Sequence, residues 1–161
     1  MKNIIAILLL SGLYVGSLCA QEEPSRSSVS AQTYVDLGLP SKTKWATTNV
    51  EGYFTYEQAL NRFGDKLPNI EQCDELYDYC EWNWTGRGYK VVGPNGRSIF
   101  LPAAGWYFEG TLHHEGRSGV YCSSSRKDAE WAMSLYVQNG KYGTGGCSLK
   151  YGQSVRLVSM Y

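Results

Sequence analysis

The amino-acid sequence predicts an α+β domain in which two short helices come first and antiparallel strands with irregular loops follow. Three observations carry this expectation. Between Thr55 and Cys80, apolar residues recur at spacings of three and four, the period of a helix face. Beyond Cys80 the period falls to two, and Gly-Pro-Asn-Gly and Asn-Gly steps punctuate the runs. Strand and helix patterns do not alternate, as a parallel sheet would require. With 161 residues, 43% of them apolar and 19% charged, the chain has the size and composition for one core.

The chain opens on Met1-Lys2-Asn3, continues as an unbroken apolar run from Ile4 to Leu10, and reaches small residues at Ser17, Cys19 and Ala20. This pattern predicts a signal peptide over residues 1–20, cut after Ala20, and an exported protein destined for the periplasm, outer cell surface or medium. The run is short for a bilayer span, so no transmembrane segment is expected in the mature form. Lipidation of Cys19 is a competing reading, opposed by bulky Leu18 where lipoprotein processing prefers a small residue. Residues 21–31 are rich in Ser, with Pro24 and a single Val, too little apolar surface to offset ordering, which predicts a flexible spacer. A single domain is expected over 32–161. Lys plus Arg equals Asp plus Glu at 15 each, so no basic surplus attracts a phosphate backbone, and nucleic acid is not an expected partner.

Within the domain, Thr55-Tyr56-Glu57-Gln58 has the form of a capping box and starts the first helix. Ala59, Leu60 and Phe63 form its apolar face, and Gly64 stops it. Asn69, with Gln72 three residues on, starts the second, whose stripe is Ile70, Cys73, Leu76, Tyr77 and Cys80. Tyr89–Val92 and Arg97–Leu101 flank Gly93-Pro94-Asn95-Gly96 as a hairpin. Trp131 to Val137 alternates in strand fashion and turns at Asn139-Gly140. Tyr142 to Gly146 reads as a glycine-rich irregular loop, and Ser154–Val158 as a closing strand.

Four segments carry a family resemblance. They are Tyr34-Val-Asp-Leu-Gly-Leu-Pro40 with Lys44-Trp-Ala-Thr47; Leu67-Pro68 opening a helix; Gly93-Pro-Asn-Gly-Arg-Ser-Ile-Phe-Leu-Pro-Ala-Ala-Gly105; and Ser123-Ser-Ser125 with Ser154-Val-Arg156. Together they resemble the Fibrobacter succinogenes major paralogous domain, a secreted bacterial family often found in gut Bacteroidetes, over about Tyr34 to Val158. The resemblance implies a C-type-lectin-like fold, related to formylglycine-generating enzymes and to the ligand-binding domains of diversity-generating retroelements. This chain departs from the family by Thr48 where members carry Cys and by Cys122 where they carry Trp, so their cysteine pairing does not transfer. Trp82-Asn83-Trp84 lacks the acid of the calcium-dependent sugar motif, and the copper-binding cysteine pair of the formylglycine-generating enzymes is absent.

Cys73, Cys80, Cys122 and Cys147 remain after leader removal, an even number that favours bridges in an exported protein. Cys73 and Cys80 lie seven residues apart on one helix, a rise of about 10 Å, too far to pair. The favoured bridge joins Cys122 to Cys147, with about 3 kcal/mol of loop-closure stabilisation; Cys73 and Cys80 read as buried apolar residues or as partners elsewhere. His113-His114-Glu115 offers metal donors, but adjacent residues diverge in an extended chain and no further His exists, so no metal and no cofactor are expected. Ser123, Ser124 and Ser125 lack the glycine elbow of a nucleophile and read as hydroxyls bonding backbone. Acidic residues of the second helix read as a solvated face.

Binding is the expected activity. The chain carries 13 Tyr and 5 Trp, side chains that give contact area at low entropic cost. Arg126, Lys127, Tyr142, Lys150 and Tyr151 fall in the C-terminal loops, the part of the fold that carries the ligand surface in the retroelement relatives, and Tyr107 enters a loop after the Leu-Pro-Ala-Ala-Gly strand. These six are the candidate ligand residues, for a glycan or protein at the cell surface, with no catalysis. The alternatives are an enzyme of formylglycine-generating or thiol-oxidoreductase type and a structural envelope protein without a ligand.

Overall fold

The computed structural model describes residues 32–160; the expected leader and spacer lie outside the described residues. It is mainly antiparallel strands in small sheets, with two short helices. The helices do not come first as expected: strands Tyr34–Asp36 and Lys44–Ala46 precede them and pair with Val158–Ser159, a partner too far along the chain for local periodicity to reveal. Both helices start where the sequence places capping boxes. Thr55 N–H donates to Gln58 Oε1 at 3.0 Å and Gln58 N–H to Thr55 Oγ1 at 3.4 Å, opening α1 (Tyr56–Phe63). Asn69 and Gln72 exchange the same pair of bonds at 2.9 and 2.8 Å, opening α2 (Ile70–Tyr79). Gly64 ends α1 with φ of 50°. Along α2, Cys73 and Leu76 are buried, whereas Tyr77, expected on the same stripe, is 53% exposed.

The first sheet joins β1 (Tyr34–Asp36) and β2 (Lys44–Ala46) to β11 (Val158–Ser159), bringing the two ends of the domain together. A second joins β3 (Glu81–Trp84), β4 (Gly88–Val92) and β5 (Ser98–Pro102), with the expected β4–β5 hairpin in register Val92↔Ser98. The hairpin turn packs on the chain after β1: Asn95 Nδ2 donates to Asp36 O at 2.8 Å, and a Cβ at Gly93 would stand 2.1 Å from Leu37 O. Only glycine fits there. Two of the motif segments are therefore one packing contact. β6 (Trp106–Phe108) and β7 (Thr111–His113) form a small hairpin.

The third sheet has the order β10-β9-β8, from β8 (Ser118–Arg126), β9 (Trp131–Gln138) and β10 (Lys141–Ser148). The expected irregular loop from Tyr142 to Gly146 is instead the middle of β10. Glycine lowers intrinsic strand preference, but the two-residue turn at Asn139-Gly140 sets the register, and β9 supplies a ladder from Gln138↔Lys141 to Trp131↔Ser148. The closing strand is shorter than expected. Val155, Arg156 and Leu157 are buried, and their backbone serves neighbouring segments: Val155 O accepts from Val50 N–H and Leu157 O from Ala46 N–H, both at 2.9 Å. The register of β8 shifts between Cys122 and Arg126. There the serines bond backbone: Ser123 Oγ donates to Met133 O at 2.6 Å, and Ser125 Oγ accepts from Ile70 N–H at 2.9 Å, fixing the start of α2. No helix among the described residues is long and apolar enough to cross a membrane.

Two apolar clusters fill the interior, one around Trp45, Leu76, Leu101 and Leu135, the other around Phe54, Phe63, Val155 and Leu157. Arg156, 2% exposed, is buried beside them without a carboxylate. Its Nε donates to Asn49 Oδ1 at 2.8 Å, Nη1 to Ala46 O at 2.9 Å and Nη2 to Phe100 O at 2.7 Å. Burial lowers the Arg156 pKa and raises that of neighbouring Tyr121 to about 12, whose hydroxyl donates to Pro102 O at 2.6 Å. The guanidinium thus joins β2, β5 and the C-terminal segment. Arg156→Met removes all three bonds and strands buried acceptors, so unfolding in denaturant should show a loss of about 3 kcal/mol or more. Thr55→Ala, which removes one cap, should lose about 1 kcal/mol; a smaller loss for Arg156→Met than for Thr55→Ala would contradict this assignment.

Candidate functional site

Alternation along β9 and β10 sorts side chains between two faces. Residues directly opposite in an antiparallel pair share a face. Val120, Tyr136 and Gly143 are matched across the three strands, as are Cys122, Ser134 and Gly145. This face borders a groove of about 550 Å³. Its walls are Trp106 and His114 at the β6–β7 hairpin and Tyr151 in the turn after β10, and Lys141 stands at one end. Tyr136 lies across the glycines: a Cβ at Gly145 would stand 3.4 Å from its ring, and its hydroxyl donates to Gly146 O at 2.6 Å.

His114 has φ of 56°, which bends the chain as β7 ends. Contrary to the divergence expected of neighbours, both histidine rings lie against Trp106, with centroids 5.9 Å away for His113 and 4.5 Å for His114. Ser118 Oγ, also lining the groove, is a buried hydroxyl without a partner. No carboxylate lines the groove.

The structure brings some of the sequence-derived ligand residues to this place and not others. Tyr151 forms a wall, braced by the edge of Phe108 at 4.9 Å. Tyr142 borders the groove but points to the opposite face of β10, where it stacks on Trp82 at 4.4 Å and 7° and meets Tyr77 and Tyr89 at 5.7 and 5.1 Å. It sits in a strand, not a loop. Arg126, at the end of β8, lies outside the groove: it pairs with Glu57 at 3.0 Å and donates to Asp128 O and Ala129 O at 2.8 and 3.1 Å, holding the β8–β9 connection. Lys127 also lies outside the lining, with Nζ close to Gly146 on the Tyr142 face. Lys150 is in an exposed turn, and Tyr107, 42% exposed, stacks on Tyr53 at 6.2 Å away from the groove. Sequence reading missed Trp106, His114, Ser118, Tyr136 and Lys141. The available signal was the Asn139-Gly140 turn, whose register places Gly143 opposite Tyr136.

The expected Cys122–Cys147 bridge is not formed, and all four cysteines of the described residues are free thiols. Strand β9 lies between them, so their backbones stand two strand spacings apart, about 9.5 Å, beyond the roughly 7 Å reach of a disulfide. Burial pushes the Cys122 thiol up to about 12, with the Cys147 thiol across β9 adding to the rise, and Cys80 up to about 11, helped by Glu75. Burial also raises Cys147. The folded state therefore holds these protons more tightly than the unfolded chain. Their stabilising contribution is complete below the ordinary thiol value of 9.0 and is lost as pH climbs through about 11 and about 12.

Denaturation midpoints should fall as pH is raised above 9.0. A thiol reagent should find Cys73, Cys80, Cys122 and Cys147 all titratable once the protein is unfolded without reductant, whereas loss of two of them would restore a bridge. Tyr142→Ala should lower stability by about 3 kcal/mol, since it empties a stacked site against the core; an unchanged melting curve would move that ring out of the core.

Comparison of the chain with protein-family models, with curated proteins and with solved structures finds no match, so the family resemblance rests on the motif segments themselves.

Proposed function

We propose that the chain is an exported, non-catalytic binding module of the major-paralogous-domain type, with a C-type-lectin-like fold, that takes a glycan or protein ligand in the groove along β10. One observation carries this reading: Trp106, Tyr136 and Tyr151, from three separate segments, converge beside a glycine strand with no carboxylate among them. Aromatic faces around a concave surface supply contact area at low entropic cost. General acid–base hydrolysis of the glycosidase kind would need two carboxylates across the cleft. Two short strands, then two helices, then antiparallel strands form an α+β order compatible with the lectin-like fold.

A thiol-based enzyme is the weaker reading. Nucleophilic cysteines are thiolates held at lowered pKa in accessible, electropositive settings, and here burial raises the pKa of all four thiols. Supporting polarity within the groove comes from Lys141, which can fix a ligand's orientation.

The test is capture on parallel glycan arrays and displayed-peptide panels, by wild type and by Trp106→Ala and Tyr151→Ala. Wild type should capture a ligand, and each substitution should weaken capture about tenfold or more, as loss of an aromatic anchor does. Because both rings line an open groove, their melting midpoints should stay within a few degrees of wild type, about 1 kcal/mol. A blank on both panels would support an envelope protein without a ligand, and capture indifferent to both substitutions would remove the groove from the account.

A further inference from the structure

Resting on that reading of the groove, we propose that its ligand is an extended polypeptide segment that adds to the sheet as a fourth strand beside β10, with an acidic side chain near Lys141.

The backbone ladder decides which groups are free. Cys122 N–H donates to Ser154 O and Ser154 N–H to Val120 O, both at 2.9 Å, so Val120 and Cys122 turn their backbone away from β9. Antiparallel ladders alternate, so Gly119 and Tyr121 face β9, where Val137 and Leu135 answer them. Tyr136 and Ser134 then face β10 and engage Gly143 and Gly145. Tyr142, Thr144 and Gly146 are left facing outward.

β10 is the edge of its sheet, and it pairs with no strand on that side among the described residues. Of the outward groups, Gly146 O is taken by the Tyr136 hydroxyl. The remaining donors and acceptors repeat at the two-residue interval of a strand, which another extended backbone matches and a sugar ring does not.

Natural edges are shielded by Pro, by bulges, by inward charges or by brevity. β10 has eight residues, no Pro and an unbroken register with β9. Its two sides also suit alternating side chains of an added strand. Tyr136 and Tyr151 flank one face, while Tyr142 and half-exposed Trp131 flank the other. Charge sets the partner's character. Lys141 lines the groove, and Lys127 Nζ lies 3.5 Å from where a Cβ at Gly146 would stand. The nearby Asp74 carboxylate is engaged by Thr144 Oγ1 at 2.7 Å. Antiparallel pairing of two copies about Thr144 would set Lys141 of one opposite Cys147 of the other, so the β10 of a second copy brings no acid to Lys141.

Panning the full chain against phage-displayed random dodecapeptides supplies the probe, and the strongest binder is measured by calorimetry. Enriched peptides should carry Asp or Glu among β-branched residues. Thr144→Pro removes an outward N–H, which an edge strand tolerates, together with the hydroxyl bond to Asp74, and should weaken the peptide about tenfold or more. Thr144→Val keeps the N–H while losing the hydroxyl contact to Asp74, and should stay within about threefold of wild type. On wild-type protein, saturating peptide should also slow amide exchange at Thr144, a readout independent of how the proline variant folds. Equal peptide affinity in the proline variant, unchanged exchange at Thr144, or self-association abolished by Thr144→Pro would each overturn strand addition. Glycan capture lost on Trp106→Ala without peptide capture would overturn it too, leaving the groove as a sugar site; silence of both panels would overturn the groove reading itself.

Discussion

The interaction on which the architecture depends is the buried guanidinium of Arg156. A cation taken out of water without a counter-ion is costly, and here the offset comes from carbonyl and amide oxygens held at fixed points. Ala46 O belongs to β2, Phe100 O to β5, and Asn49 to the segment after β2. None of these comes from the same sheet as β8, β9 and β10, yet Tyr121 of β8 sits against the same guanidinium and reaches Pro102 O. One side chain therefore sets the relative placement of three sheets. Small sheets of two and three strands have little stability alone, and a shared polar hub gives them a common reference that apolar packing, being non-directional, does not supply.

That placement has a functional consequence. The parallel bridge between Gly105 and Gly119, together with Gly105 N–H donating to Ser118 O at 2.6 Å, brings the β6–β7 hairpin to the inner side of β8. Trp106 and His114 thereby stand across from Tyr136. On the far side, α2 braces β10 through Asp74 and Tyr77. β10 is thus supported on β9 and against α2 while its outer edge stays open, an arrangement in which a glycine strand is held straight by its neighbours and not by its own residues. The Tyr136 ring lies against Gly145, and its hydroxyl reaches Gly146 O.

Much of this was legible in the sequence, for identifiable reasons. Capping boxes are local, so Thr55/Gln58 and Asn69/Gln72 announce both helices, and the Gly93–Gly96 turn announces its hairpin. What failed were features decided by distant partners. The strand identity of Tyr142–Gly146 comes from β9, against the preference of three glycines. Val155–Leu157 reads as a strand by composition but is threaded between layers, where its backbone answers Ala46 and Val50. The disulfide expectation assumed that Cys122 and Cys147 were neighbours; counting strands from the Asn139-Gly140 turn puts β9 between them. For the groove, Tyr151 was recognised by residue type alone, whereas Trp106, His114 and Tyr136 meet only through the bridge at Gly105. Arg126 had the composition of a contact residue and the geometry of a clamp on its own loop.

The central claim is that β10 is held firmly on β9 while its other edge is unpaired before any ligand arrives. Residue-resolved amide exchange on the ligand-free protein tests it directly. The account predicts a two-residue alternation: Gly143 and Gly145, bonded to β9, exchange as slowly as the core of β9, whereas Tyr142, Thr144 and Gly146 exchange orders of magnitude faster. Uniform protection along Tyr142–Gly146 would mean that something already covers the edge, and uniform rapid exchange would mean that the strand is not formed; either pattern contradicts the account.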